Sequence, residues 1–195
     1  MYIDLVHIIQ ALLAKQEVVV VAISGHGGSG KSTLADKLAR QFGLAEDQIV
    51  QVDGLHAKNY MQAKGLFELH DWATIMDILA NAHTNNRLKY LKRDDKEVES
   101  TVDVSRPRVL LLEGIRLIRP EVLPYVDVSV WIDCPLEVAT KRAVERNRQQ
   151  GDSEAEIVLW DSKWVPEAKQ YIKQVDPRSI ASFIYRDYGF QGATF

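Results

Sequence analysis

Residues 18–23, Val18-Val19-Val20-Val21-Ala22-Ile23, form an apolar and mostly β-branched run that leads through Ser24 into Gly25-His26-Gly27-Gly28-Ser29-Gly30-Lys31-Ser32. A strand with no polar alternation is buried on both faces, which is the condition of a strand inside a parallel sheet. The residues after the glycines, Lys31–Phe42, carry helical spacing, and Gly43 sits in a C-cap position. Strand, glycine-rich turn and helix in this order restrict the chain to an α/β architecture with helices packed on the sheet.

The rest of the sequence repeats that rhythm. Apolar runs at 48–52, 108–112 and 126–132 read as further strands, and 180–185 as a last one. Helical stretches are expected at 72–82 and at 136–149, the latter after Pro135 and before Gly151. Residues 153–174 also look helical, with an interruption at Pro166. An amphipathic helix is expected within 1–17, ahead of the first strand. The segment at about 85–106 breaks the pattern: two short alternating runs flank a charged turn at 92–96, and a surface hairpin or flap is expected there. The whole of 1–195 reads as one domain, without internal repeats or low-complexity tracts.

The glycine-rich turn fits G-x-x-x-x-G-K-[ST] in the context that its chemistry requires, after a strand and opening a helix. Glycines let the backbone curl so that successive N–H groups point at phosphate oxygens, with the positive end of the helix behind them. The expected nucleotide-binding residues are Gly25, His26, Gly27, Gly28, Ser29, Gly30, Lys31, Ser32 and Thr33. Lys31 would reach the β- and γ-phosphates of ATP, Ser32 would offer its hydroxyl to Mg²⁺, and Thr33 would serve the α-phosphate or the helix cap. An incidental glycine-rich surface turn lacks such flanks.

Ligands of open α/β sheets bind beyond the carboxyl ends of the strands, so acids at those ends are candidates for chemistry. Asp53 follows the second strand and is expected to act as base or to orient an attacking hydroxyl; a turn or cap aspartate is the plainer reading. Glu113 ends the run 109–112 and is expected in the Mg²⁺ shell, against the alternative of a buried capping acid. Asp127 and Asp133 read as turn residues. On the helix after Asp133, Arg142 and Arg146 lie four apart on one face. A lid at about 136–152 carrying an arginine to the transferred phosphoryl group competes with a solvated face paired to Glu137 and Glu145. His56, His70, Asp71 and Trp72 are candidates to line an acceptor pocket, although a surface histidine or core tryptophan explains each equally well.

Composition narrows the remainder. Hydrophobic residues make up 46% and charged residues 26%, as in ordinary globular chains, and the formal charge of -3 provides no basic field for nucleic acid or an anionic membrane. The lone Cys134 cannot form an internal disulfide and reads as structural. The N-terminus lacks a basic n-region and a cleavage site, and no apolar stretch is long enough to span a bilayer, so a cytoplasmic location is expected.

Together the loop at 23–33, Asp53, Leu111-Leu112-Glu113-Gly114-Ile115, the Arg142/Arg146 helix, and Val175-Asp176-Pro177 with 181–185 resemble the uridine kinase and phosphoribulokinase family, over about 18–188. The resemblance implies a three-layer P-loop NTPase fold with a five-stranded parallel sheet, helices on both faces and a small lid. It also implies ATP and Mg²⁺ as cosubstrates, and transfer of the γ-phosphate to a hydroxyl of a nucleoside or similar sugar-containing small molecule. Lys31, Asp53, Arg142 and Arg146 would be catalytic, Asp53, His56, His70 and Trp72 would meet the acceptor, and Ser32 and Glu113 the metal. Where uridine kinases hold the pyrimidine, residues 88–100 offer only Tyr90 and charges, so the acceptor stays open. The competing reading is a P-loop NTPase acting as a switch or nucleotide-binding module on a protein partner. A guanine-reading Asn/Thr-Lys-x-Asp segment is missing, since Thr140-Lys141-Arg142-Ala143 has no aspartate. Homo-oligomer formation is compatible with either reading.

Overall fold

The computed structural model describes residues 1–58, 60–93 and 98–186. Residues 94–96 of the charged turn, and 187–188 at the end of the family resemblance, lie outside the described residues.

In chain order the helices are α1 (Tyr2–Leu13), α2 (Lys31–Phe42), α3 (Trp72–Ala80), α4 (Leu136–Gln150), α5 (Glu154–Leu159), α6 (Val165–Val175) and α7 (Pro177–Ile180). The strands are β1 (Val19–Ser24), β2 (Ile49–Gln51), β3 (Arg87–Arg93), β4 (Glu99–Ser105), β5 (Val109–Glu113), β6 (Val128–Ile132) and β7 (Phe183–Tyr185). β1 is central in a five-stranded sheet of order β2-β5-β1-β6-β7, and every pairing in it is parallel. β3 and β4 form the expected hairpin, antiparallel and outside that sheet.

Alternation along β1 builds the layers. Val19, Val21 and Ile23 point to one face with Leu111 and Val130, where Leu5 and Ile9 of α1, Leu34 and Leu38 of α2 and Ala139 of α4 cover them. Val20 and Ala22 point to the other with Leu110 and Leu112, against Ile75, Ile78 and Leu79 of α3 and Leu88 of the hairpin. A smaller cluster of Leu66, Ile118, Trp131 and Tyr171 holds α6. The result is the expected three-layer α/β/α sandwich.

The last strand, expected at 180–185, begins only at Phe183, because Pro177–Ile180 form α7. Two further elements differ from expectation, each for a local reason. The second strand is shorter than 48–52, because the chain turns into a single 3₁₀ turn at Val52–Gly54 and carries Asp53 with it. The helical stretch 153–174 breaks upstream of Pro166, in a π turn at Trp160–Trp164. Pro166 itself sits in the first turn of α6, where its missing N–H is tolerated. α6 is anchored: the buried Arg116, at φ 60°, donates to the Leu66 carbonyl (2.5 Å) and pairs with Glu167, while the Tyr171 hydroxyl donates to the Ile118 carbonyl. α5 has a Ser153–Glu156 capping box, but among its own side chains only Ile157 is buried.

Candidate active site

Sheet register gathers the site. Glu113 lies opposite Ile23 of β1 and Gln51 of β2, so three strands end level and the residues just beyond them share one crevice. Gly114 permits the close approach: a Cβ there would stand 2.6 Å from the Val52 Cβ and 3.1 Å from Asp53 Oδ1. Ser24, fully buried, donates to the Gly114 carbonyl (2.9 Å) and accepts from the Leu117 amide (3.2 Å), which fixes the turn after β5 against the end of β1.

The glycine-rich turn lies beneath α4. Gly28 has φ 79°, and a Cβ on it would fall 2.1 Å from the Ala139 carbonyl oxygen. Lys31 is only 6% exposed, and its ammonium donates to the His26 carbonyl (3.2 Å) across the turn. Burial, reinforced by the Lys31 charge, pushes the His26 imidazole down to about 4, so it is neutral at physiological pH. Its edge meets Trp131 at 5.2 Å between ring centroids. Gly30, Thr33, Lys37, Arg142 and Tyr185 contribute to a pocket of about 300 Å³ on the α4 side of the turn. Arg146, one turn beyond Arg142, is exposed and donates to Asn147 (3.4 Å). The cationic face is therefore divided between a pocket wall and solvent.

The two carboxyls are shifted in opposite directions. The Asp53 side chain is 48% exposed, accepts from the Ile115 amide (3.0 Å), and has His70 Nε2 3.5 Å from Oδ1. Desolvation raises its proton affinity, but His70, Lys31 and the Ile115 amide outweigh it and hold the carboxyl at about 2. Glu113 is 5% exposed and accepts from Ser32 Oγ (3.2 Å). Burial first, then the Asp53 charge, raises it to about 6 despite Lys31 and Ser32.

On the acceptor side, His56 stacks on Tyr60 (4.0 Å, 14°) and forms a strand-like backbone bridge to His70, whose imidazole lies beside Asp53. The Trp72 indole N–H is engaged by the Phe67 carbonyl (2.7 Å), and the Arg119 guanidinium lies over the ring at 4.7 Å. Asp71 caps α3 by accepting from the Thr74 amide (3.1 Å). Among the described residues, the buried side-chain polar atoms without a hydrogen-bond partner in the chain are Ser29 Oγ, His56 Nδ1, both His70 nitrogens and Glu113 Oε2. Such atoms are rare in folded proteins and call for a ligand or water; here Ser29 belongs to the loop, and His70 and Glu113 to the Asp53 crevice. The 3.5 Å His70–Asp53 contact is electrostatic and too poorly directed to count as a hydrogen bond.

Comparison with known proteins bears on the fold that carries this site. Uridine kinase from Shewanella sp. strain ANA-3 is 25% identical over 198 residues, covering 88% of this chain and 93% of the relative. Uridine kinase from Shewanella baltica strain OS185 is 24% identical over the same shares. A putative fructose transport system kinase from Silicibacter sp. TM1040 superposes with a TM-score of 0.73 at 23% identity, over 92% of this chain and 97% of its own. A possible uridine kinase from Bacillus stearothermophilus gives 0.62 at 20%, over 93% and 99%. These superpositions establish the fold. The NB-ARC domain family matches residues 3–95, from α1 through the phosphate loop to the hairpin.

The chain is similar to uridine kinases over most of its length.

With the curated relatives spanning most of its length, the uridine kinase-like chain is read at the coarse level as a P-loop phosphotransferase for a small metabolite. The Mg²⁺ that such kinases use fits the residues present. Among the described residues no group of three His, Cys, Asp or Glu side chains is arranged to hold a metal ion by itself. A hard cation would therefore rely mainly on phosphate and water oxygens, for which Ser32 Oγ and the unpartnered Glu113 Oε2 suffice on the protein side. No described helix is long and apolar enough to cross a membrane.

Sequence reasoning missed two residues of this site, Ser24 and Trp160, and part of the character of a third, His26. Ser24 carried no signal beyond its place before the loop. Trp160 lies 133 positions beyond Gly27, so the contact between them leaves no local pattern. His26 was counted only as a loop residue, although it is a buried neutral imidazole under Lys31.

The elevated Glu113 carries a testable stability signature. Because its folded value lies above the unfolded 4.5, the nucleotide-free protein is favoured while Glu113 is protonated and loses that benefit as pH rises through about 6. The elevation corresponds to about 2 kcal/mol at neutral pH. Glu113→Gln should therefore melt higher than wild type at pH 7.5 and show a flatter stability profile between pH 4.5 and 6. Thermal melts across pH check this; an unchanged profile would mean that Glu113 is solvated.

Proposed function

We propose that the chain is an ATP-dependent kinase transferring the γ-phosphate to a hydroxyl of a nucleoside or similar sugar-containing metabolite. The observation that carries the reading is Asp53: a half-exposed carboxylate, held ionised, within electrostatic reach of Lys31 and Glu113 at the ends of adjoining strands. Phosphoryl transfer passes through a loose transition state and needs positioning and charge neutralisation more than a strong base. A carboxylate near 2 is a weak base but always ionised. It suits the task of accepting a hydrogen bond from the acceptor hydroxyl and taking its proton late in transfer.

In this reading the amides of Gly25 to Ser32 bind the phosphates, and Lys31 leaves the His26 carbonyl to neutralise their charge. Thr33 lies at the nucleotide side of the loop. Ser32 and Glu113 would hold Mg²⁺, which when bound offsets phosphate charge during transfer. Arg142, on the pocket wall, and Arg146, on the same helical face, would provide the lid's guanidinium groups. His70, with unpartnered nitrogens beside Asp53, and His56, bridged to it, are suited to hydroxyl-bearing acceptors, while Trp72, its N–H engaged and Arg119 over its ring, would contribute to the pocket wall by packing. Work in the cytoplasm, where ATP is available, suits this chemistry.

A switch or nucleotide-binding module acting on a protein partner finds support in the NB-ARC match, which ends at residue 95. Glu113 and α4 fall beyond that match, and Asp53 with its paired histidines would have no acceptor to handle. The deciding experiment measures ADP release from Mg-ATP against nucleosides, sugar phosphates, glycerate and other small hydroxyl compounds. Acceptor-stimulated release with a phosphorylated product supports the kinase; tight ATP binding with a flat panel favours the switch.

A further inference from the structure

The phosphate loop carries a contact that neither phosphate binding nor acceptor binding uses. A Cβ on Gly27 would lie 2.6 Å from Cη2 and 3.0 Å from Cζ3 of Trp160, so the indole's benzo edge rests on the backbone at the apex of the loop. Gly27 is glycine because an aromatic ring occupies the space where a side chain would stand. Trp160 opens the π turn between α5 and α6 and is itself half-buried. π turns are uncommon insertions in helices and concentrate at functional sites. The two sides of this one are unequally held. α6 is tied down by Glu167 on Arg116 and by Tyr171 on Ile118, whereas α5 has Ile157 as its one buried side chain. A segment with few buried contacts opens at low free-energy cost while its anchored neighbour stays in place.

We propose that Trp160 is a positioning residue that closes the apex of the phosphate loop, its indole moving with α5 to admit nucleotide and returning to keep water from the transferring phosphoryl group. This rests on the P-loop reading of residues 25–32. Removing the ring should leave nucleotide binding largely intact, because the loop amides and Lys31 are untouched. It should also let water compete with the acceptor. Phenylalanine should preserve much of the cover.

The test compares wild type, Trp160→Phe and Trp160→Ala. Intrinsic fluorescence and calorimetry would follow binding of Mg-ADP and a non-hydrolysable β,γ-imido ATP analogue, and ADP release from Mg-ATP would be followed without acceptor. Wild type should change its emission on binding, and Trp160→Phe should lose more than half of that change although Trp72, Trp131 and Trp164 remain. Acceptor-independent hydrolysis should rise about tenfold in Trp160→Ala and return towards the wild-type rate in Trp160→Phe, with affinities within about threefold. An emission change retained in full by Trp160→Phe, or hydrolysis unchanged in a folded Trp160→Ala, overturns the proposal and leaves the ring as packing. A wild-type chain to which calorimetry shows no nucleotide binding overturns the P-loop reading as well.

Discussion

Asp53→Asn should bind Mg-ATP as tightly as wild type and transfer phosphate roughly 10²–10⁴-fold more slowly once an acceptor is in hand. Asparagine keeps the size of the side chain and an oxygen to accept the Ile115 amide, so the turn after β2 should survive. What disappears is the charge that Lys31 and His70 sustain, and with it the means of accepting the hydroxyl proton. The loss should fall on kcat with a smaller effect on the acceptor KM, since hydrogen bonding to the hydroxyl is weakened while the remaining contacts persist. Steady-state kinetics with calorimetric ATP binding would check this. Near-normal kcat would assign Asp53 to the fold alone.

Gly28→Ala should be nearly as damaging by a different route. The added methyl group would meet the Ala139 carbonyl at 2.1 Å and Ala143 at 3.0 Å, both parts of α4, on a residue with φ 79°. A helix backbone cannot yield as the end of a side chain can, so the loop must leave α4 or α4 must leave the sheet. The backbone strain alone is worth on the order of 1–3 kcal/mol. Mg-ATP affinity should fall at least about 100-fold, with a lower melting temperature, because the amides no longer converge on phosphate. Gly27→Ala is the control: its methyl group meets only the outer edge of Trp160, which can swing aside, so affinity should change little. Equal damage from both substitutions would contradict the distinction.

The layers of the fold were legible because their causes are local. The unbroken run 18–23 announces a strand covered on both faces, and the loop motif announces the helix behind it. Lys31 and Ser32 could be proposed because they close the loop motif and open α2, and Asp53 and Glu113 because each sits at or just beyond the end of a strand, a position that sequence reveals and register then aligns. Contacts made between distant segments were not legible. Nothing near Gly27 announces Trp160, and nothing near Trp72 shows that its N–H would be taken by Phe67. Pro166 drew attention to the right region, but proline is comfortable in a first turn, and the irregularity moved upstream to Trp160–Trp164. The N-terminal segment, extra to the family resemblance, proves to be part of the core through Leu5 and Ile9.

The hairpin shares no ladder with the main sheet, yet Arg93 reaches from it to the His56 carbonyl (3.1 Å) and Leu55 bridges to Arg93. Its sequence can thus drift without disturbing the alignment of Ile23, Glu113 and Gln51, while any shift of its end is felt at the turn that carries Asp53. In the kinase proposed above, the phosphate-handling end could be inherited unchanged while the outward positions of this hairpin, anchored in the core by Leu88, are edited.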